Sequence, residues 1–409
     1  MARALVLGGL GGIGSVAVRA LAAVDEFDQV VIADVLGEEA ETAAAQFGDS
    51  RITGIAVDAQ SHTNLTTAMK DADVVLNCTG PFYRFGPPVL RAAIDAGVDY
   101  VDVCDDLAPT QSMLAMHDAA QAAGVTALIG MGNSPGIANV IVRLCAEQLL
   151  DRVESVDIMH VHGGEPEEGP GVIKHRLHAM DNPVPLFVNG DFVEVHQLEA
   201  DGRAFVREFD FRDVGRLPVY PYPHPETITL PRYLPGLQRA TNMGVIFPLA
   251  YFHRTQQLVR VGLSSQEPLT VGDTAVVPLD VAVALLQSQR PGFLEEAQVT
   301  GPAGCLAVEV GGIKDGDYHR YVFQLSSTMA GAGEGTGIPA AVGTILMHWG
   351  HISGPGVLPP EAAVDPTSFL DLAFDLMRRL GVQAGGDSGA LHVEHTGPDG
   401  VARQVSLGV

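Results

Sequence analysis

The chain is short of lysine, of cysteine and of positive charge in general, and each shortage removes a class of protein. Only three lysines occur (Lys70, Lys174 and Lys314), and 24 basic residues face 49 acidic ones, a formal net charge of −25. A surface that acidic repels nucleic acid and anionic membrane, so neither is expected as a partner. The four cysteines, Cys78, Cys104, Cys145 and Cys305, are scattered without a C-x-x-C pair or a histidine cluster at ligand spacing. That argues against a zinc site or a disulfide framework and for reduced thiols, with no metal expected. No apolar run reaches the ~18 residues that a membrane span needs. Met-Ala-Arg leads straight into an apolar strand, leaving no room for a signal peptide, so a cytoplasmic location is expected.

What is present suits a well-buried enzyme of more than one domain. Hydrophobic residues make up 46% and charged residues 18% of 409, which argues against extensive disorder. Apolar runs at 4–7, 29–33, 53–57, 73–78, 100–103 and 126–129 alternate with helical patterns. This is the texture of an α/β chain with a Rossmann doubly wound parallel sheet. A helix over 137–150 should lead out of it. From Val153 onward β-rich runs dominate, with hairpins expected about Asp315-Gly316 and Asp399-Gly400. A glycine-rich stretch, 331–337, precedes helices expected over 338–348 and 368–380.

Gly9, Gly11 and Gly14 form a G-x-G-x-x-G fingerprint between the first strand and the first helix, the context that the motif requires. Gly9 is read as the tight turn, Gly11 as the close approach to pyrophosphate, and Gly14 as the helix–strand contact. With Gly12 and Ile13 they would place phosphates at the positive end of the helix. Asp34 ends the second strand, where a carboxylate accepts both ribose hydroxyls. It would repel a 2′-phosphate, and Val35-Leu36-Gly37 bring no cation to offset it, so NAD is expected over NADP. Gly8, Gly12 and Gly14 also satisfy the short-chain dehydrogenase loop. That family needs a tyrosine with lysine four residues later, and none of the eight tyrosines has one.

Further stretches resemble the saccharopine dehydrogenase-like superfamily, and most nearly its single-function L-lysine 6-dehydrogenase-like members. They are Asn77-Cys78-Thr79-Gly80-Pro81-Phe82-Tyr83, Gly97-Val98-Asp99-Tyr100-Val101-Asp102, Gly132-Asn133-Ser134-Pro135-Gly136-Ile137-Ala138-Asn139, Tyr222-Pro223-His224-Pro225-Glu226, Thr336-Gly337-Ile338-Pro339 and Val357-Leu358-Pro359-Pro360-Glu361. Asn133-Ser134-Pro135-Gly136-Ile137 stands where saccharopine reductases tend to carry Asp-Pro-Gly-Ile, which argues against saccharopine itself. The resemblance implies a dinucleotide-binding domain at 1–135 and an α/β substrate and dimerisation domain with an open mixed sheet at 136–330. It also implies helices at 331–409 that return to the first domain, ahead of a terminal β-hairpin. A homodimer acting on a small amine or amino acid follows.

Candidate site residues combine position with residue type. Thr79, Gly80 and Pro81, with Cys78, follow the fourth strand at the crevice where open α/β sheets bind ligands; Val35 and Asp58 end neighbouring strands on the cofactor side. Asp102, Asp105 and Asp106 end the fifth strand, Asp102 as a catalytic candidate and Asp105 as a partner for a substrate ammonium. His224, held between two prolines, leads the acid/base candidates, with Lys174 and His175 behind it. Tyr83, Arg232 and Arg239 are substrate candidates, the arginines for a carboxylate. The expected chemistry is NAD-dependent hydride transfer at a CH–NH₂ or CH–NH group, with oxidation of the L-lysine ε-amine foremost. The alternatives are a saccharopine/opine- or carboxypolyamine-type imine reductase, a C=C reductase of lipids, and a non-catalytic NAD-binding sensor.

Overall fold

A computed structural model describes residues 2–327, 332–382 and 391–407. The first third yields β1 (Arg3–Leu7), α1 (Gly12–Ala22), β2 (Gln29–Asp34), α2 (Gly37–Gln46), β3 (Ile52–Ala56), α3 (His62–Met69) and β4 (Val74–Asn77). It continues with α4 (Phe82–Ala96), β5 (Asp99–Asp102), α5 (Leu107–Leu114), α6 (His117–Ala123), β6 (Thr126–Leu128) and α7 (Ile137–Leu144). The expected helix over 137–150 is therefore shorter, its last stretch being a π turn at Cys145–Leu149.

The middle contains β7 (Arg152–Gly163), α8 (Pro170–Asp181), β8 (Pro183–Val188), β9 (Asp191–His196), α9 (Ala200–Arg203), β10 (Arg207–Phe211), β11 (Gly215–Pro221) and α10 (Glu226–Tyr233). Then come β12 (Arg239–Phe247), α11 (Leu249–Arg260), β13 (Leu269–Val271), β14 (Thr274–Val276), α12 (Pro278–Glu296), β15 (Ala303–Lys314) and β16 (Asp317–Ser327). The last segment holds α13 (Ala332–His348), β17 (Gly356–Leu358), α14 (Pro360–Ala363), α15 (Pro366–Arg379), β18 (Leu391–Thr396) and β19 (Ala402–Gln404). Of the glycine stretch 331–337, Gly331 lies outside the described residues, and α13 already begins at Ala332.

Two sheets carry the molecule. The first is wholly parallel in the order β17-β6-β5-β4-β1-β2-β3, so a strand from the far end of the chain adds a seventh to the expected six. The second runs β10-β11-β12-β7-β15-β16-β18-β19, with β8 on β12 and β9 on β8; only β12 and β7 pair in parallel. Strand alternation decides which face of this sheet each residue meets. Val156, Ile158, Leu306 and Val308 join one continuous core with the first sheet and its helices. Met159, Val161, Met243 and Val245 point the other way, into a second core with Ile173, Leu177, Tyr251, Phe252 and Leu279 from α8, α11 and α12.

The C-terminal segment returns to the first sheet because α13 lies against α1. A Cβ on Gly333 would come within 2.9 Å of Gly12 O, and one on Gly337 within 2.7 Å of Ile13 O. Arg19 and Glu334 add an ion pair at 3.3 Å. The following turn buries Glu361, which accepts a hydrogen bond from Asn139 Nδ2 on α7 at 2.7 Å. Burial pushes this carboxyl up to about 7, against the hydrogen bonds from Thr229 and Asn139 that favour its charge. A carboxyl with a raised folded pKa binds more protons folded than unfolded. Its contribution is therefore complete below pH 4.5 and lost as pH rises through about 7, to the extent of roughly 3 kcal/mol. The Glu361→Gln variant should lose that part of the slope of stability against pH between 4.5 and 7, and gain on wild type above pH 7. Denaturant unfolding at several pH values checks this.

Candidate functional site

The cofactor end is built on the turn between β1 and α1. Gly8 takes φ +70°, and Gly8 N and Gly9 N both donate to Ala33 O, at 2.9 and 3.3 Å. The tight turn assigned to Gly9 thus sits one residue earlier. A Cβ on Gly8 would also press on the Cys78–Thr79 peptide at 3.0 Å, while Gly9 makes room for Ile32. Gly14 lets the helix sit on the loop, since a Cβ there would lie 2.2 Å from Gly8 O, whereas Gly12 faces open space. The first helical bond runs from Ser15 N to Gly11 O. The N–H groups of Gly12, Ile13 and Gly14 precede it and are the ones a pyrophosphate would take.

Asp34 stands beside this turn at the end of β2, with Leu10 N and Leu36 N each 3.4 Å from one of its oxygens. Those long contacts leave its acceptor capacity for ribose hydroxyls. Val35 and Leu36, 68% and 52% exposed, offer apolar surface next to it. Asp58, after β3, accepts from Gln60 N at 2.9 Å and lies on the exposed side. An open backbone cradle, free N–H groups and a carboxylate at the ribose position together fit a dinucleotide.

Behind the cradle a buried chain of hydrogen bonds ties together the loops that leave β4, β5 and β6. Asn77 Oδ1 accepts from Thr79 N (3.0 Å), Asn77 Nδ2 donates to Tyr100 OH (3.0 Å), and Tyr100 OH donates to Asp102 Oδ2 (2.9 Å). Asp102 Oδ1 accepts from Cys104 N and Gly130 N at 3.0 and 2.7 Å. Asp102 is completely buried, and burial raises its pKa to about 6 despite these donors. Already accepting from Tyr100, Cys104 and Gly130, the buried Asp102 carboxylate ties the loop after β6 to the end of β5. Burial also pushes the Cys78 thiol up to about 12, so it stays protonated. Gly80 meets nothing within 4 Å of a built Cβ, leaving the turn before α4 open.

Opposite this edge, the second sheet presents its inner face. His160 and His162, two apart on β7, share that face with Asn242 on β12, and His160 Nε2 lies 3.1 Å from Asn242 Oδ1. Gly244 provides the room, since a Cβ there would strike the His160 ring at 2.3 Å. Tyr222 and His224, just beyond β11, bring their rings to 5.2 and 5.5 Å from that of His160. His224 Nδ1 is 3.3 Å from Oε2 of Glu226, which is 1% exposed and starts α10. The other oxygen, Oε1, accepts a hydrogen bond from Ser134 Oγ. Ser134 Oγ in turn lies 3.4 Å from Asn242 Nδ2.

This geometry separates the histidines by charge. Burial holds His160 well below the ordinary histidine pKa and His162 at about 4, with the charge of His224 adding to His160 and that of Arg176 to His162. Burial also opposes the charge on His224, but Glu226, then Asp105 and Asp106, outweigh it and raise its pKa. One imidazole that favours its proton therefore sits among neutral ones, the pattern expected of an acid/base group.

The structure gathers some of the other expected residues here and disperses the rest. Asp105 forms no hydrogen bond or ion pair among the described residues, yet its charge acts on Asp106, Tyr222 and His224. His175, on α8, reaches across with Nδ1 3.4 Å from Asp106 Oδ1. Burial, followed by the charge of Asp105, raises the pKa of Asp106. Lys174 instead pairs with Asp280 of α12 at 2.7 Å on the surface. Tyr83 is 74% exposed in the first turn of α4, and Arg232 is exposed near the end of α10. Arg239 lies on the sheet face opposite Asn242, its Nε 2.9 Å from Asp157 Oδ1, so it serves a sheet ion pair and not this cluster. Sequence reasoning missed Glu226, Ser134, Asn242, His160 and His162 as functional groups. The alternation His160-Val161-His162 was the available signal, because spacing of two puts both rings on one strand face.

Residues 4–128 match the family model for the saccharopine dehydrogenase NADP binding domain. The chain is 25% identical to a carboxyaminopropylagmatine dehydrogenase from Synechocystis sp., over 90% of this chain and 94% of that protein. It is 26% identical to a carboxynorspermidine synthase from Vibrio cholerae, over 78% and 81%. Among solved structures, saccharopine dehydrogenase (L-Glu forming) from Saccharomyces cerevisiae superposes with a TM-score of 0.69, at 16% identity. That match covers 99% of this chain and 100% of the yeast chain, and shows a shared fold. No helix among the described residues is long and apolar enough to cross a membrane.

Proposed function

We propose that the chain, which matches the saccharopine dehydrogenase NADP binding domain over residues 4–128 and is 25% identical to a carboxyaminopropylagmatine dehydrogenase over nine-tenths of its length, is an NAD(P)-dependent oxidoreductase of the saccharopine dehydrogenase-like superfamily that reduces an imine to the secondary amine of a carboxylated polyamine. The observation that carries this reading is His224, a buried histidine 3.3 Å from the Glu226 carboxylate and favoured in its charged form by Glu226 and by Asp105, which makes no hydrogen bond or ion pair among the described residues. The nicotinamide, when bound, supplies the hydride that forms the new C–H bond. As the C=N π electrons withdraw onto nitrogen, His224 gives that nitrogen its proton; in the oxidative direction neutral His224 takes it back. Asp105 receives a distal ammonium or guanidinium, and the net charge of −25 draws a polycation toward the cleft. Two relatives named for carboxylated polyamines favour this substrate class over the lysine ε-amine.

The test follows NADH oxidation by the purified protein with agmatine or a short diamine plus an amino-acid semialdehyde. Consumption that needs both partners supports the imine reductase. Reduction of NAD by L-lysine alone would return the lysine reading, and cofactor binding without turnover of any pair would favour the sensor. Asp34 also leads us to propose NAD as the cofactor. Calorimetry should find NADH bound at least about tenfold more tightly than NADPH, a difference of about 1.4 kcal/mol. The double variant Asp34→Ser, Val35→Arg should reverse the order. Equal affinities in wild type would remove Asp34 as the discriminator.

A further inference from the structure

Five polar side chains, three of them buried (His224, Glu226 and Asn242) and two half-buried (Ser134 and His160), form a ring across the junction of the two sheets. It passes from His224 to Glu226, to Ser134, to Asn242, to His160 and back to the His224 ring, at the separations described above. Four separate segments contribute. Ser134 comes from the loop leaving the parallel sheet, Asn242 and His160 from adjacent strands of the mixed sheet, and His224 and Glu226 from the β11–α10 connection. Glu226 is the only member that carries a carboxylate, and it is almost wholly removed from water. A buried carboxylate persists only where it is paired and hydrogen-bonded; here Ser134 donates to one oxygen, while His224 Nδ1 stands 3.3 Å from the other at ion-pair distance, both of those atoms buried without another hydrogen-bond partner.

Resting on the reading of His224 as the proton donor, we propose that Glu226 is a positioning residue which, anchored by Ser134, engages His224 Nδ1 and turns Nε2 toward the cleft. The logic is that of a carboxylate behind a catalytic imidazole: it sets the tautomer, stabilises the imidazolium and leaves one nitrogen for the reacting atom. Ser134 gives the device a second role. Its hydroxyl comes from the layer that carries the dinucleotide cradle, so the ring also holds His224 in register with that layer. The groups facing His224 are Glu226 on its own segment, Asp105 and Asp106 beyond β5, His160 and His162 on β7, and Tyr222. Of these, the carboxylates favour its proton, while burial opposes it. Glu226 is both the nearest and the one in contact, so its loss should dominate.

The experiment reads His224 directly, without substrate. Protein labelled with ¹⁵N-histidine is titrated by NMR as wild type, Glu226→Gln and Ser134→Ala, with His224→Gln identifying the signal. We expect Glu226→Gln to lower the His224 midpoint by at least one pH unit and to abolish its Nδ1–H tautomer preference. Ser134→Ala, a smaller change that keeps the fold should the first variant fail to express, should move it in the same direction by less. Where turnover is available, the alkaline limb of kcat should shift to lower pH by the same amount with KM little altered. A purely structural role would lower kcat at every pH without moving the limb. An unmoved midpoint and tautomer in both variants would overturn the proposal. A moved midpoint in a protein that turns over no imine would leave the Glu226 role standing and fault the substrate assignment alone.

Discussion

Replacing His224 with Gln should lower kcat of imine reduction by about 10²–10⁴-fold, the usual worth of a positioned proton donor. NADH affinity and the melting temperature should stay close to wild type. Gln retains a polar group opposite Glu226, so the variant does not abandon a buried carboxylate to an apolar hole. His160, by contrast, is held neutral by burial and meets Asn242, so His160→Gln should cost far less in rate than His224→Gln. Steady-state and single-turnover kinetics on both variants check the assignment. A His224→Gln enzyme within threefold of wild type would remove His224 from the chemistry and transfer the burden to Asp106 and His175, the other pair in the cleft.

The second large effect is expected at Gly14. A methyl group there would lie 2.2 Å from Gly8 O and 2.9 Å from Gly9 Cα, both backbone atoms with no rotamer to yield. Gly14→Ala must push α1 off the turn, costing about 1–3 kcal/mol of stability by overpacking and at least about 100-fold in NADH affinity, since about 2.7 kcal/mol of cradle geometry goes with it. Gly12→Ala is the paired measurement. A Cβ at Gly12 meets nothing within 4 Å, so the fold should be unharmed, while binding should weaken because that space borders the N–H groups offered to pyrophosphate. Thermal melts and calorimetric NADH titrations separate the two cases. Loss of stability without loss of binding in Gly14→Ala would contradict the cradle.

How much of this could be read beforehand differs sharply between the two ends of the site. The glycine loop, the helix behind it and Asp34 lie within 30 residues, and their spacing alone states their relation to a dinucleotide. Even there the tight turn fell on Gly8 and not on Gly9, because a positive φ is needed where the chain reverses against the Cys78–Thr79 peptide. That peptide is 70 residues away in sequence. At the substrate end the misplacements share one cause. Arg239 was judged by residue type, but strand parity sends it to the face away from Asn242, into a pair with Asp157. Asp102 ended a strand as expected, yet its buried carboxylate accepts from Tyr100 and Cys104 beside it and from Gly130 on the loop after β6. Lys174 was one helical position from His175, and that position decided between Asp280 and Asp106.

Taken alone, the amino-acid sequence determined the alternation that makes the parallel sheet, the glycines that shape its first turn and the carboxylate at its ribose position. These depend on periods of two and 3.6 and on backbone sterics, which act between near neighbours. Only the tertiary structure decided which histidine keeps its proton. His224, Glu226, Ser134, Asn242 and His160 come from four segments, and what each does depends on charges and hydrogen bonds across that junction. A pKa follows from burial and from the distance to the nearest charge, and neither exists until the chain has folded.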